Sequence, residues 1–276
     1  MNLKHNEREF LKGTFIEKLY EKNLDYYKGV FKLFNHTRLN VQFTDDEFIH
    51  AYNIANNQKI DIEKDEVSYF VISPIIDMLH FSKKHLNTIF LDRITEENKI
   101  ILKASKFINE GDEIYLDYGK KDNIALYNFY GFTVFNNQNP KVLMGVKGIK
   151  LNKDHYDFDL YYENPDVHLK DYVDEIMEIL KVYKNDEIIY LETEKNILNQ
   201  LEEDLHVDEV LKKVKELDKI IDENDYSYGI DMETMKHIRI VLNDEIDILE
   251  VNKAAIKKLK KINFRKMRKY KKSGKF

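Results

Sequence analysis

The 276-residue chain contains no cysteine, which removes disulfide cross-links, thiolate zinc sites and a cysteine nucleophile from consideration. A reducing setting, cytoplasmic or nuclear, is the expectation that follows. Proline is scarce as well, with Pro74, Pro140 and Pro165 alone, the last two near the expected domain junction. Glycine occurs nine times, and no two glycines are separated by a single residue. The chain therefore lacks a Gly-x-Gly turn, in which the missing Cβ atoms let backbone approach a ligand closely. Nor does any stretch reach the ~20 apolar residues that a spanning helix needs, and no apolar run follows Met1, so no membrane association is expected.

What is present favours a folded, helix-rich protein. At 43% hydrophobic and 12% aromatic residues, the chain is long enough to bury a core and to divide into two domains. Charged residues make up 34%, which suits long solvated helices better than a β-sandwich. The net charge of -6 hides an asymmetry: residues 253–276 hold twelve Lys and Arg and no acid, leaving 32 basic against 50 acidic residues, a formal -18, over residues 1–252. Such a run reads as a solvated tail, a nuclear address or a phosphate-binding patch. Contact with nucleic acid is expected through this segment alone, because the acidic remainder argues against a broad nucleic-acid surface.

Periodicity divides the chain further. Phe10, Leu11, Thr14, Phe15 and Leu19, then Leu24, Tyr27, Val30, Phe31 and Phe34, recur at offsets of three and four and predict amphipathic helices. Thr44 and Glu47 make a capping-box pattern, followed by a helical face of Phe48, Ala51, Tyr52 and Ala55 in a helix expected to reach Ile60. Between residues 65 and 146 the period shortens, with strand-like runs at 67–72, 88–91, 100–102 and 113–118. In the last, Ile114, Leu116 and Tyr118 alternate with Glu113, Tyr115 and Asp117, as a half-buried strand requires. Asp122 is placed to cap a short helix bearing Leu126 and Tyr127, and Gly131 to end it. From Leu169 the helical period returns through Tyr172, Val173, Ile176 and Leu180, Ile197 to Leu205, Val207 to Ile221, and Met235 to Leu249. The sequence shows no internal repeat and sets no oligomeric state.

Chemistry concentrates in residues 73–140. A turn at Gly111 leads through the predicted strand to Tyr118 just before Gly119; a tyrosine there is either a packing residue or a group that orients a reacting amine. The ordered segments Asp77-Met78-Leu79-His80-Phe81-Ser82, Gly111-Asp112-Glu113-Ile114-Tyr115-Leu116-Asp117-Tyr118-Gly119, Asn123-Ile124-Ala125-Leu126, Tyr130-Gly131-Phe132 and Asn139-Pro140 together resemble the second half of a SET domain. The branch they look like is that of Rubisco large-subunit and actin-histidine methyltransferases. Leu11-Lys12-Gly13-Thr14 looks like the start of that branch's helical insertion, and the helical second half is similar to its C-terminal substrate-binding domain.

The resemblance implies an α+β fold: a partial SET β-fold with a helical insertion, followed by an all-helical substrate-binding-like domain. Residues 1–64 would be the insertion-like segment, 65–146 the C-terminal half of the SET domain, 147–252 the helical domain and 253–276 the basic tail. It implies methyl transfer from S-adenosylmethionine to a lysine or histidine of a protein substrate, without a metal. By position Tyr118 matches the catalytic tyrosine, Tyr130 and Phe132 the aromatic residues of the substrate channel, and His80, Phe81, Ser82, Gln58 and Phe132 the cofactor site.

Three departures fall on the cofactor side. The family's N-terminal Gly-x-Gly strand is absent, which implies a chain that starts inside the family fold. Asn57 and Gln58 stand where the family has Ser-Arg; glutamine gives up the charge and the bidentate fork of arginine. His80-Phe81 replaces Asn-His, or Leu79-His80 if the register slips by one, and phenylalanine offers none of asparagine's donors and acceptors. The alternative reading is therefore a truncated or catalytically degenerate SET-like protein that serves as a protein-interaction module.

Overall fold

The computed structural model describes residues 5–36, 44–64, 67–73, 75–81, 89–94, 99–139, 141–151, 154–182, 186–223 and 229–273. The architecture is α+β. Helices α1 (His5–Leu11), α2 (Phe15–His36) and α3 (Asp45–Gln58) precede two antiparallel strand pairs, β1 (Lys59–Lys64) with β2 (Val67–Ile72) and β3 (Ile89–Ile94) with β4 (Ile100–Ala104). Helix α4 (Asn123–Tyr130) follows, then a third pair, β5 (Val142–Leu151) with β6 (Asp154–Tyr161), and helices α5 (Pro165–Ile179), α6 (Glu187–Glu203), α7 (Val207–Glu223) and α8 (Met232–Lys272). Two compact units emerge: one holds Tyr20–Asn139, the other His5–Leu19 with Pro140–Phe276. The N-terminal helix thus groups with the C-terminal helices and not with the rest of residues 1–64.

In the first unit the start of α3 is set locally. The Glu47 amide donates to Thr44 Oγ1 at 3.2 Å and the Thr44 amide to Glu47 Oε2 at 2.9 Å, the reciprocal capping box that the sequence predicts. Phe48 stacks on Tyr52 and meets Phe31 of α2 at ring-centroid distances of 5.8 and 5.1 Å. Ala51, expected on the same face, is exposed. The helix also stops at Gln58 and not at Ile60. Lys59 and Ile60 are already strand, paired with Ile72 and Val71, because the alternation Lys-Ile-Asp-Ile-Glu-Lys finds an antiparallel partner in 67–72. Strand pairing here overrides a helical pattern that was only locally plausible.

The second unit is built around α8, against which α5, α6 and α7 all pack. The predicted apolar stripes supply its core: Leu169, Val173 and Ile176, Leu198 and Leu201, Val210 and Leu217, and Met235, Ile238, Leu242 and Leu249 are all buried. Leu180, at the end of α5, is 37% exposed. The unit is not purely helical, however, because β5 and β6 form a hairpin across 142–161. The expected boundary at 146 would cut through β5; the division falls between Asn139 and Pro140. The signal was present in Tyr156, Phe158 and Leu160 alternating with Asp157 and Asp159, a period of two. Phe158 and Leu160 are buried, and the Phe158 ring stacks on Tyr172 of α5 at 4.6 Å.

Candidate functional site

The site forms in the first unit, where residues 115–117 run between two other segments. The Leu116 amide donates to the His80 carbonyl at 3.0 Å, the Ile89 amide to the Tyr115 carbonyl at 3.0 Å and the Asp117 amide to the Ile89 carbonyl at 2.9 Å. These are two single-residue parallel bridges, His80 with Tyr115 and Ile89 with Leu116, in place of the regular strand expected over 113–118. Of its predicted inward face, Leu116 is buried and Tyr118 half-buried, while Ile114 is 41% exposed.

Directly after the bridges the chain presents Tyr118 and turns at Gly119 (φ 78°), whose amide donates to Asp117 Oδ1 at 2.9 Å. The next helix is placed by its caps. Asp122 Oδ1 accepts from the Ala125 amide at 2.7 Å at the start of α4, and Gly131 closes it in the left-handed conformation (φ 75°), its amide donating to the Tyr127 carbonyl. Both caps agree with the sequence pattern. Tyr130 is the last helical residue, and Phe132 follows the glycine.

Four aromatic rings from three separate stretches then converge. Tyr118 lies 4.7 Å from Tyr130 and 5.3 Å from Phe81; Phe81 stacks on Phe132 at 5.4 Å with 28° between planes; Tyr130 and Phe132 are 6.2 Å apart. The Tyr118 hydroxyl donates to the Leu79 carbonyl at 3.2 Å. A phenol has a single proton to donate, so in this arrangement the oxygen meets a further group as an acceptor.

His80 lies apart from the rings. Its side chain is 78% exposed, with Nδ1 3.3 Å from Glu113 Oε1, while the Tyr115 hydroxyl donates to Glu113 Oε2 at 2.7 Å. The hydrogen bond from Tyr115, then that from His80, holds the Glu113 carboxyl below its ordinary value. Of Gln58 only the backbone is described, as the last residue of α3, and Ser82 lies outside the described residues.

One set of supporting residues was not fully legible in the sequence. Asn123 is buried, and its Oδ1 accepts from the Val134 amide at 2.8 Å and from Asn137 Nδ2 at 3.4 Å. Asn137 and Asn139 both donate through Nδ2 to the Lys121 carbonyl at 2.9 Å. Three asparagines thereby tie residues 134–139 to the start of α4. The only hint in the sequence was the asparagine density of Asn136-Asn137-Gln138-Asn139.

Beside this network is an open depression of about 230 Å³, bordered by Phe81, Gly119, Lys120, Lys121, Asn137 and Asn139 among others. Of the four rings, only Phe81 borders it. No group of acidic and imidazole side chains suited to a metal ion occurs among the described residues.

No protein-family model matches this chain, and no curated protein matches it. The functional reading therefore rests on the residues themselves and on the motif resemblance.

Proposed function

We propose that this chain is a SET-like, S-adenosylmethionine-dependent protein N-methyltransferase acting on a lysine or histidine side chain. The observation that carries the reading is the convergence of Phe81, Tyr118, Tyr130 and Phe132, residues singled out from three separate motifs, into one aromatic cluster. The cofactor, when bound, supplies an electrophilic methyl group on a cationic sulfur, which a side-chain nitrogen accepts with loss of one proton. Aromatic faces suit that cation. Lys120 and Lys121, beside the depression, suit its carboxylate. Tyr118, with its proton committed to Leu79, orients an incoming amine by accepting one of its N–H bonds. Such alignment is worth up to ~7–11 kcal/mol of barrier in well-oriented reactions.

The residues fit the cofactor in part. The depression is smaller than the ~300 Å³ at which cofactor pockets usually begin, and Phe81 packs a phenyl ring where the resemblance calls for a polar imidazole. Weak cofactor binding follows. The test is titration calorimetry with S-adenosylmethionine together with transfer of labelled methyl groups into protein of a cell extract. Heat of binding and a labelled band lost in Tyr118→Phe would support the enzyme; neither heat nor label would end this reading.

The Phe81 stacking also favours a second reading, a non-catalytic module whose helical unit holds a protein partner. That reading requires Tyr118→Phe to retain partner binding, and charge reversal at the exposed Lys212, Lys215 and Lys219 of α7 to abolish it.

A further inference from the structure

The basic segment at the C-terminus is helix, continuous with the core: α8 runs unbroken from Met232 to Lys272. One side of its final turns is packed. Ile256 and Asn263 are buried, and Asn263 Nδ2 donates to the Leu191 carbonyl at 2.9 Å and to Glu194 Oε2 at 2.7 Å. At 3.6 residues per turn, Lys257, Lys261, Arg265, Arg268 and Lys272 fall on the opposite side, within a single stripe about 22 Å long. All five are exposed.

Among the described residues the charges on this stripe go unanswered. Lys258 pairs with Asp166 at 2.5 Å and Lys260 pairs with Glu202, but the five stripe cations have no carboxylate within ion-pair distance among the described residues. Helix-end electrostatics accounts for Lys269, Lys271 and Lys272 in the last turn, and its reach ends there. Lys257, Lys261 and Arg265 lie further back and repel one another at i, i+4 spacing. A stripe that costs stability and has no partner among the described residues suits an external polyanion. Beside it stands Phe264, 65% exposed, between Lys261 and Arg268.

We propose that this face of α8 binds single-stranded nucleic acid, its cations following the phosphates and Phe264 stacking on a base. Cations interleaved with an exposed aromatic are the arrangement by which single strands are held without base readout. The formal -18 of residues 1–252 repels phosphate elsewhere and confines the footprint to this helix. An anionic membrane is a poorer match, because an interfacial helix needs an apolar face opposite its charges. Here Leu259, Met267 and Tyr270 lie toward the packed side and are only partly exposed. The proposal is independent of the methyltransferase reading.

The test is fluorescence anisotropy of the full chain with a labelled 20-nucleotide single strand, a duplex of the same length, and phosphatidylserine vesicles. Engagement of about five phosphates gives a log–log salt slope near -3.5, or roughly a hundredfold weakening between 50 and 200 mM salt. The combined Lys261→Glu, Arg265→Glu and Arg268→Glu variant, with helicity checked by circular dichroism, should lose at least about a hundredfold in affinity. Phe264→Ala should lose about tenfold while keeping the salt slope. No binding of the single strand at 50 mM salt overturns the proposal, as does unchanged affinity in the triple variant. Equal or tighter binding of the duplex, or binding of vesicles alone, overturns the single-strand assignment.

Discussion

The Phe15 amide donates a 2.9 Å hydrogen bond to Glu245 Oε1, joining the start of α2 to the middle of α8 across 230 positions of sequence. Glu245 is fully buried, and its other oxygen, Oε2, has no hydrogen-bond partner among the described residues. Burial pushes its carboxyl from 4.5 up to about 7, although the Phe15 and Ile16 amides and the charge of Lys18 hold it down. A carboxylate at a helix N-terminus is favourable, but here desolvation is the larger effect.

A pH dependence of stability follows. Because the folded-state pKa, about 7, lies above the ordinary 4.5, the folded protein binds more protons than the unfolded chain between those values, and stability falls as pH rises through that window. The total change is about 3 kcal/mol. Denaturant unfolding at pH 5 and pH 8 should show the loss, and Glu245→Gln should flatten it. An unchanged slope in the variant would assign the effect to other groups.

The asparagine network predicts a second result. Asn123→Ala leaves the Val134 amide without its buried acceptor and should destabilise the protein by about 1–3 kcal/mol. The shift is read as a lower urea midpoint at an unchanged m-value. Asp122→Ala, which removes the cap of α4, should cost about 1 kcal/mol.

Tyr118→Phe separates packing from chemistry. The ring contacts with Phe81 and Tyr130 remain, while the hydroxyl bond to Leu79 is lost at a net cost of about 1 kcal/mol of stability. On the methyltransferase reading, labelled methyl transfer should fall about a hundredfold or more. Full retention of transfer would remove Tyr118 from the chemistry.

Phe81→His tests the cofactor side. Replacing the phenyl ring that meets Tyr118 and Phe132 should cost about 1–3 kcal/mol of stability, while the imidazole restores a donor and an acceptor that phenylalanine lacks. Calorimetry should show tighter S-adenosylmethionine binding in the variant. Equal or weaker binding would mean that position 81 is not part of the cofactor site.

What the sequence by itself determined is what is decided within about four residues. The Thr44–Glu47 box, the Asp122 and Gly131 caps of α4 and the apolar stripes of α5 to α8 were legible because each depends on neighbouring turns of one helix. The aromatic positions of the candidate site were also legible one by one. Only the tertiary structure decided which distant segments meet: the strand pairing that ends α3 at Gln58, the one-residue bridges that leave Ile114 exposed, and the convergence of Phe81 with Tyr118, Tyr130 and Phe132. It also decided that Glu245, an unremarkable acid in a charged helix, is buried against the Phe15 amide. Strand pairing and burial are set by partners far along the chain, and local periodicity carries no information about them.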